Sequence, residues 1–161
     1  MPFGRKILSP SSGVGTALTF DGRPEWKPIG ATFDWTTVAA VASDTFVPGD
    51  QLTVPNGQKY LRYGQLMCQI TATGLFGPYD SAAADGRQLL VNGNCGFINQ
   101  TILQNGLLGF TVANTDNAGL VIGGYVWSVR LIQSGVAVAS LAAGPTLATL
   151  LAAMPRLVLA Q

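Results

Sequence analysis

The sequence predicts a mainly β protein: a small sandwich-like or barrel-like β domain with an extended N-terminal arm and a short C-terminal helix. Short runs of β-branched and aromatic residues recur at spacings of about 8–12 residues, the rhythm of a β-sandwich or barrel. Turn-forming pairs such as Asn56-Gly57 and Asp85-Gly86 separate these runs, and 20 of the 161 residues are glycine. Only residues 145–154 show a helical apolar periodicity.

The arm is predicted to comprise residues 1–30, followed by a single β-rich domain over residues 31–161. Four prolines interrupt the arm: Pro2, Pro10, Pro24 and Pro28. Because proline cannot donate to a central β-ladder, such a segment is either a disordered terminus or an extended strand that docks on a neighbour. Trp26 has no local core in this segment, so we expect its ring to be buried against another part of the fold or another chain.

The domain that follows is predicted to alternate strands and turns. Its strands are predicted where β-branched and aromatic residues dominate or alternate with polar ones, at residues 31–38, 59–63, 66–71, 88–91, 96–103, 109–112, 125–132 and 156–159. Gly, Pro, Asn and Asp predict turns at residues 47–50, 55–57 and 85–86 and a loop at residues 74–80.

The C-terminal helix is predicted over residues 145–154, with Pro145 in its first turn and Pro155 beyond its end. Its apolar face has the spacing i, i+3, i+4, i+7 and comprises Leu147, Leu150, Leu151 and Met154. The uncharged run of residues 131–155 is long enough to span a bilayer, but Gly144-Pro145 divides it into two short pieces. We therefore predict no membrane span.

Charge is scarce and unevenly placed. Charged residues make up 11% of the chain, against about 25% in an average protein, and the net charge of +1 gives no broad electrostatic surface for nucleic acid. Residues 88–161 contain only Asp116, Arg130 and Arg156. Because a freely soluble monomer usually carries charges over its whole surface, we expect this half of the chain to be covered by the other half, sister subunits, a larger assembly or lipid.

The sequence offers little for catalysis or metal binding. It has no histidine, which removes the commonest general base, the commonest metal ligand and every His-dependent triad. Cys68 and Cys95 are predicted to be reduced, buried thiols; a disulfide between them is the alternative, because sequence alone does not fix their distance. We therefore predict no enzymatic activity, no cofactor and no metal site.

A set of short strings follows one another in the middle of the chain. They are Arg62-Tyr63-Gly64-Gln65-Leu66-Met67, Gly77-Pro78-Tyr79-Asp80, Ala84-Asp85-Gly86-Arg87-Gln88 and Phe97-Ile98-Asn99. In order and spacing these strings resemble the head decoration (cement) proteins of tailed bacteriophages, the group that includes the phage lambda decoration protein. Trp35 and the Gly119–Trp127 stretch fit the same resemblance.

The resemblance implies a small β-rich protein that binds the outside of the expanded capsid, usually as a homotrimer, and has neither catalytic activity nor a cofactor. Its partner would be the phage major capsid protein, and its location the virion exterior after synthesis in the bacterial host cytoplasm. The expected coat contacts of the arm are Phe3, Ile7, Leu8 and Trp26. Residues of the central loop expected to make trimer or fold-defining contacts are Tyr79, Asp80, Asp85 and Arg87.

Two other functions stay open from the sequence. One is a different virion component, such as a tail-tube, adaptor or fibre-tip protein, which its copy number per particle would distinguish from a decoration protein. The other is a carbohydrate-binding or hydrolytic β domain, for which the aromatic residues and the carboxylates of Asp80 and Asp85 are the only support. Paired carboxylates of this kind more often cap a loop by accepting bonds from backbone amides.

Overall fold

The computed structural model describes residues 24–28, 30–47, 52–99, 101–104, 119–127, 132–133, 136–137 and 147–160. Over these residues the predicted class is confirmed: the chain is mainly β, with one short helix near its C-terminal end. The predicted coat contacts Phe3, Ile7 and Leu8 and the predicted strand at residues 109–112 lie outside the described residues.

Twelve strands and one α-helix are formed by the described residues. The strands are β1 (Glu25–Trp26), β2 (Thr45–Val47), β3 (Leu52–Val54), β4 (Tyr60–Leu61), β5 (Leu66–Gln69), β6 (Phe76–Pro78), β7 (Cys95–Ile98), β8 (Ile102–Leu103), β9 (Leu120–Trp127), β10 (Ile132–Gln133), β11 (Val136–Ala137) and β12 (Leu157–Ala160). The helix is α1 (Leu147–Ala153), and a short 3-10 helix covers Trp35–Thr37.

A six-stranded sheet forms the centre of the domain. Its strand order is β1-β9-β7-β5-β6, and β12 also pairs with β9. The β12 pairing is parallel, whereas the other neighbours in this sheet are antiparallel. Phe97 of β7 lies opposite Leu66 of β5 on one side and Val121 of β9 on the other. The remaining strands form three two-stranded pairs, β2 with β3, β4 with β8, and β10 with β11.

The middle of the central sheet is buried on both faces. Successive side chains of a strand point to opposite faces, so Leu66 and Cys68 lie on one face and Met67 on the other. The first face packs against α1 in a cluster of Leu66, Cys68, Tyr79, Cys95, Phe97, Val121, Val126, Leu150, Ala153, Met154 and Leu157. The second face is covered by the 3-10 segment and β4 in a cluster of Ala31, Phe33, Trp35, Val38, Leu61, Met67, Phe76, Ile98 and Leu120.

The C-terminal helix and the strand after it agree with the sequence. The helix α1 lies within the predicted range of residues 145–154, the first two of which are outside the described residues, and it ends one residue earlier than predicted. Leu150 is fully buried against the sheet, as its place on the predicted apolar face requires. The final strand, predicted over residues 156–159, is β12. Among the described residues, no helix is long and apolar enough to cross a membrane.

The prediction of a strand over residues 31–38 is wrong for most of that segment. Phe33 makes an isolated parallel bridge to Phe76, and a 3-10 helix follows it. The carboxylate of Asp34 accepts hydrogen bonds from the backbone N–H and the hydroxyl of Thr36, at 2.9 and 2.6 Å. This local bonding caps the 3-10 helix and competes with strand pairing.

Two further predictions are corrected between β5 and β7. The predicted loop at residues 74–80 contains β6, because the sheet provides a partner that turn propensity does not reveal. Pro78 fits there since β6 lies at the sheet edge, where its missing N–H costs no ladder bond. The predicted strand at residues 88–91 is instead turns and irregular backbone, and it exposes Leu89 and Val91.

Four predicted strands have different bounds in the structure. The predicted strand 59–63 shortens to β4, and 66–71 to β5. The predicted strand 96–103 is divided into β7 and β8. The predicted strand 125–132 begins earlier, since β9 starts at Leu120. At Gly124, φ is +101°, a conformation that side-chain-bearing residues rarely adopt, and it interrupts the regular alternation of β9.

Part of the predicted arm belongs to this sheet. Glu25 and Trp26 form β1, which pairs with β9 of the same chain, opposite Gly123 and Val121. The indole of Trp26 lies over Gly119, where a Cβ would stand 2.7 Å from the ring. Trp26 still exposes 44% of its surface, so its expected burial is only partial within this chain.

Leu150→Ala tests the packing of α1 on the sheet. The substitution removes a fully buried side chain, so we expect the free energy of unfolding to fall by about 2–5 kcal/mol. Urea denaturation measures this change. Leu89→Ala is the matched control, because Leu89 is half exposed and its truncation should cost no more than about 0.5 kcal/mol. Equal losses in the two variants would contradict the packing described for α1.

Candidate functional site

The four loop residues predicted from the sequence lie between β5 and β7, in the segment that contains β6. Tyr79 is buried in the core cluster beneath α1, and its backbone N–H donates to the carbonyl of Leu66 at 2.9 Å. Burial raises the pKa of its phenol above the ordinary value. Asp80 accepts a hydrogen bond from the backbone N–H of Ala82 at 2.9 Å, which closes a turn.

Asp85 and Arg87 form an ion pair inside the loop. The Nε of Arg87 donates to both carboxylate oxygens of Asp85, at 3.2 and 2.9 Å, and its Nη1 donates to the carbonyl of Pro78 at 3.3 Å. The backbone N–H of Arg87 donates to the same carboxylate at 3.1 Å. This backbone bond, together with the side-chain bond, lowers the pKa of Asp85. The pair thus joins the end of β6 to the chain that returns toward β7.

Gly77 and Gly86 let this loop pack closely. A Cβ on Gly86 would stand 2.3 Å from Oγ1 of Thr71, and the φ of Gly86 is +111°. A Cβ on Gly77 would stand 2.6 Å from both Cδ of Arg87 and Oγ1 of Thr37. Any larger residue would force these contacts apart. The strings that carry the resemblance therefore include residues that hold the loop to the sheet.

In their described contacts, the carboxylates of the loop hold the loop together. The carboxylate of Asp85 is bound to a guanidinium, and that of Asp80 to a backbone amide. Neither arrangement is that of an acid–base pair poised over a substrate. Across the part of the chain that the structure describes, no group of three or more His, Cys, Asp or Glu residues could hold a metal ion.

A groove of about 260 Å³ lies beside β1, and no pattern in the sequence predicts it. It runs between β1, the turn before β7 and the end of α1, and its lining includes Trp26, Gly93, Cys95 and Met154. Two polar contacts link these parts. Glu25 pairs with Arg156, and Nζ of Lys27 donates to the carbonyl of Gly93 at 2.7 Å.

Cys68 and Cys95 lie directly opposite each other on β5 and β7. Both are fully buried, which confirms their predicted burial, and they are not bonded to each other in this structure. The thiol of Cys95 donates to the carbonyl of Val91 at 3.5 Å. Each thiol shifts the other, which raises the pKa of Cys68 and lowers that of Cys95. The sequence did not predict that Cys68 and Cys95 lie opposite each other, because the predicted bounds of both strands differ from the observed ones.

A second exposed feature is apolar. Tyr125 of β9 and Val158 of β12 are register partners, so their side chains are neighbours, and they expose 51% and 45% of their surfaces. Val126 and Leu157, the adjacent residues, are buried in the cluster with α1. Since side chains alternate along a strand, Tyr125 and Val158 lie on the sheet face opposite α1. We call these two residues the Tyr125–Val158 patch.

The ion pair of the loop makes stability depend on pH. Asp85 has a lowered pKa in the fold, so its stabilising contribution is present above the unfolded-state pKa of about 3.9 and is lost as the pH falls through the folded value. We expect Asp85→Asn to reduce the free energy of unfolding by about 1 kcal/mol near pH 7, a modest loss because the carboxylate is partly solvated.

Urea denaturation of both proteins between about pH 7 and about pH 3 measures the gap, which should narrow below about pH 4. Taking the difference between wild type and variant cancels the titration of the other carboxylates. A gap that stays constant down to about pH 3 would show that the Asp85 carboxylate is not the titrating group.

The loop, the groove and the Tyr125–Val158 patch are the three candidate interaction features of the described residues. The four strings between Arg62 and Asn99 that the sequence analysis singled out lie in the loop and its flanking strands. In comparisons with known proteins, no family model, no curated protein and no solved structure matches this chain.

Proposed function

We propose that this protein is a structural component of a tailed-bacteriophage virion. It binds the outside of the expanded capsid and stabilises the shell by bridging neighbouring major capsid proteins. The resemblance of the Tyr79–Gln88 loop and its flanking strings to the phage decoration proteins suggests this assembly. The mainly β fold is compatible with such a role.

One physical observation supports a protein that works inside an assembly. Residues 88–161 contain three charged residues, and the described part of this half still exposes large apolar side chains: Leu89, Val91, Tyr125 and Val158. Covering apolar surface of this kind with another molecule lowers the free energy of the system. Three charged side chains contribute little to keeping such apolar surface soluble. We infer that subunits or coat proteins cover it.

Trp26 supports an interface beside the arm. It lies on a sheet edge, retains exposed indole surface, and lines a groove with Pro28, Pro155 and Met154. Tryptophan is enriched among residues that dominate binding energy at interfaces. We propose that Trp26 contacts the coat protein together with the preceding arm residues Phe3, Ile7 and Leu8.

The proposed mechanism is mechanical. An expanded shell under the pressure of packed DNA is held by contacts between coat subunits. A trimer that bridges several coat subunits adds interfaces that must all break together, so its avidity exceeds the affinity of any single contact. The close packing of the loop around Gly77 and Gly86 suits this role, because a bridge that deforms easily would transmit little load.

Co-sedimentation tests the proposal. The purified protein is mixed with expanded and with unexpanded capsids that lack it, and pelleting is measured against protein concentration. We expect saturable pelleting with expanded shells, at hundreds of copies per particle. Absence of pelleting with both shells would rule out the cement function. A native copy number of six to twelve per particle, or a position along the tail, would instead favour a tail-tube, adaptor or fibre-tip component.

Lysine substitutions in the Tyr125–Val158 patch test whether it is covered in the particle. We expect Tyr125→Lys and Val158→Lys each to weaken capsid binding about tenfold, because a charge would be desolvated in the interface. Phe46→Lys is the control: Phe46 is 59% exposed but lies on β2 in the charged half of the chain. Thermal unfolding checks that all three variants fold. An equal effect of all three on binding would contradict a specific role for the patch.

A further inference from the structure

We propose that Cys68 and Cys95 are a redox pair that closes a cross-strand disulfide in the folded protein, with Cys95 as the attacking thiol and Cys68 as the resolving thiol. The proposal rests on the register of β5 against β7 and on the groove beside Cys95. It does not depend on the function proposed above.

The register places the two cysteines at the kind of position where cross-strand disulfides can form. Two backbone bonds define the ladder: Gln69 N–H to the carbonyl of Asn94 at 2.8 Å, and Ile98 N–H to the carbonyl of Gln65 at 3.1 Å. Hydrogen-bonded pairs alternate with non-hydrogen-bonded pairs along an antiparallel ladder, so the Cys68–Cys95 pair is of the second kind.

Non-hydrogen-bonded pairs bring side chains closest. Their Cα atoms are typically about 4.5 Å apart, which lies within the range of about 4.4–6.8 Å that disulfides span. The two side chains also point to the same face of the sheet, since both belong to the cluster beneath α1. The bond can therefore close within the existing strand register.

The two thiols differ in reactivity and in access. The neighbouring Cys68 thiol lowers the pKa of Cys95, and Lys27 adds a smaller electrostatic contribution in the same direction. Cys95 is fully buried, but it forms part of the wall of the groove beside Trp26, whereas Cys68 does not. A small opening of the groove exposes Cys95 first. The geometry thus assigns the first attack to Cys95.

The reaction is thiol–disulfide exchange with a low-molecular-weight disulfide such as oxidised glutathione. The Cys95 thiolate attacks one glutathione sulfur, which breaks the S–S bond, forms a mixed disulfide and releases one glutathione thiolate. The Cys68 thiolate then attacks Sγ of Cys95 and releases the second glutathione. Two electrons pass from the protein thiols to oxidised glutathione, and the two thiol protons end on the two reduced glutathione molecules.

The bond would staple the base of the loop that carries the candidate site. Residues 69–94, which include β6 and the Asp85–Arg87 pair, lie between the two cysteines. A reducing cytoplasm keeps such a pair open, and an oxidising environment closes it. If the chain is a virion component, the disulfide forms when the particle is released from the host. This consequence alone rests on the proposed function.

The experiment treats the native full-length protein with oxidised glutathione at mildly alkaline pH and maps its cysteines by mass spectrometry. We expect wild type to lose two hydrogen atoms, to yield one peptide pair joined through Cys68 and Cys95, and to gain about 5–15 °C in Tm. In Cys68→Ala we expect one glutathionyl group on Cys95. In Cys95→Ala we expect Cys68 to stay a free thiol.

Three results would overturn the proposal. One is wild-type protein whose thiols stay free unless denaturant is added, and another is wild-type protein that retains glutathione without closing the bond. The third is labelling of Cys68 in Cys95→Ala with no labelling of Cys95 in Cys68→Ala, which would reverse the assigned roles. The wild-type measurement needs no variant, so the disulfide can be tested even if a substitution in the core prevents folding.

Discussion

The pairing of β7 with β5 on one side and with β9 on the other is the constraint on which the structure depends. These three strands supply buried side chains to both faces of the central sheet, so both core clusters need the same register. A slip of one residue would exchange Phe97 with Ile98 across the sheet and disrupt the packing on both faces. Because the register is fixed by packing on two sides, it also fixes Cys68 opposite Cys95.

The candidate site follows from that register. The loop between β5 and β7 leaves and re-enters the sheet at fixed places, and its polar side chains bond mainly within the loop itself. The Asp85–Arg87 pair, the carbonyl of Pro78 and the close approach at Gly86 give the loop one shape. Since these contacts are internal, what remains for a partner is the loop's outer surface, the groove beside Trp26 and the Tyr125–Val158 patch. Those are the surfaces a bridging protein can use.

Because charge is scarce, the exposed apolar surfaces of this protein are best explained by burial in an assembly. An apolar patch on a freely soluble protein is a liability, whereas the same patch in a particle is buried area that contributes to binding. The thiol pair adds a different property, because a covalent staple at the base of the loop would act on the stability of the loop rather than on its outer surface. In the proposed virion component, the apolar surfaces would attach the protein to the capsid. The disulfide would stabilise the loop outside the cell.

The sequence by itself determined the class of the fold, the C-terminal helix and final strand, and the burial of both cysteines, because β-branched content, helical periodicity and small apolar side chains act locally. The four loop residues could also be selected from the sequence, but not their bonds. Tertiary structure decided which segments pair: Phe76–Pro78 became a strand because the sheet offered an edge, and residues 88–91 did not because they found no partner. The groove and the opposition of the two thiols likewise depend on residues far apart in the chain, which no local pattern records.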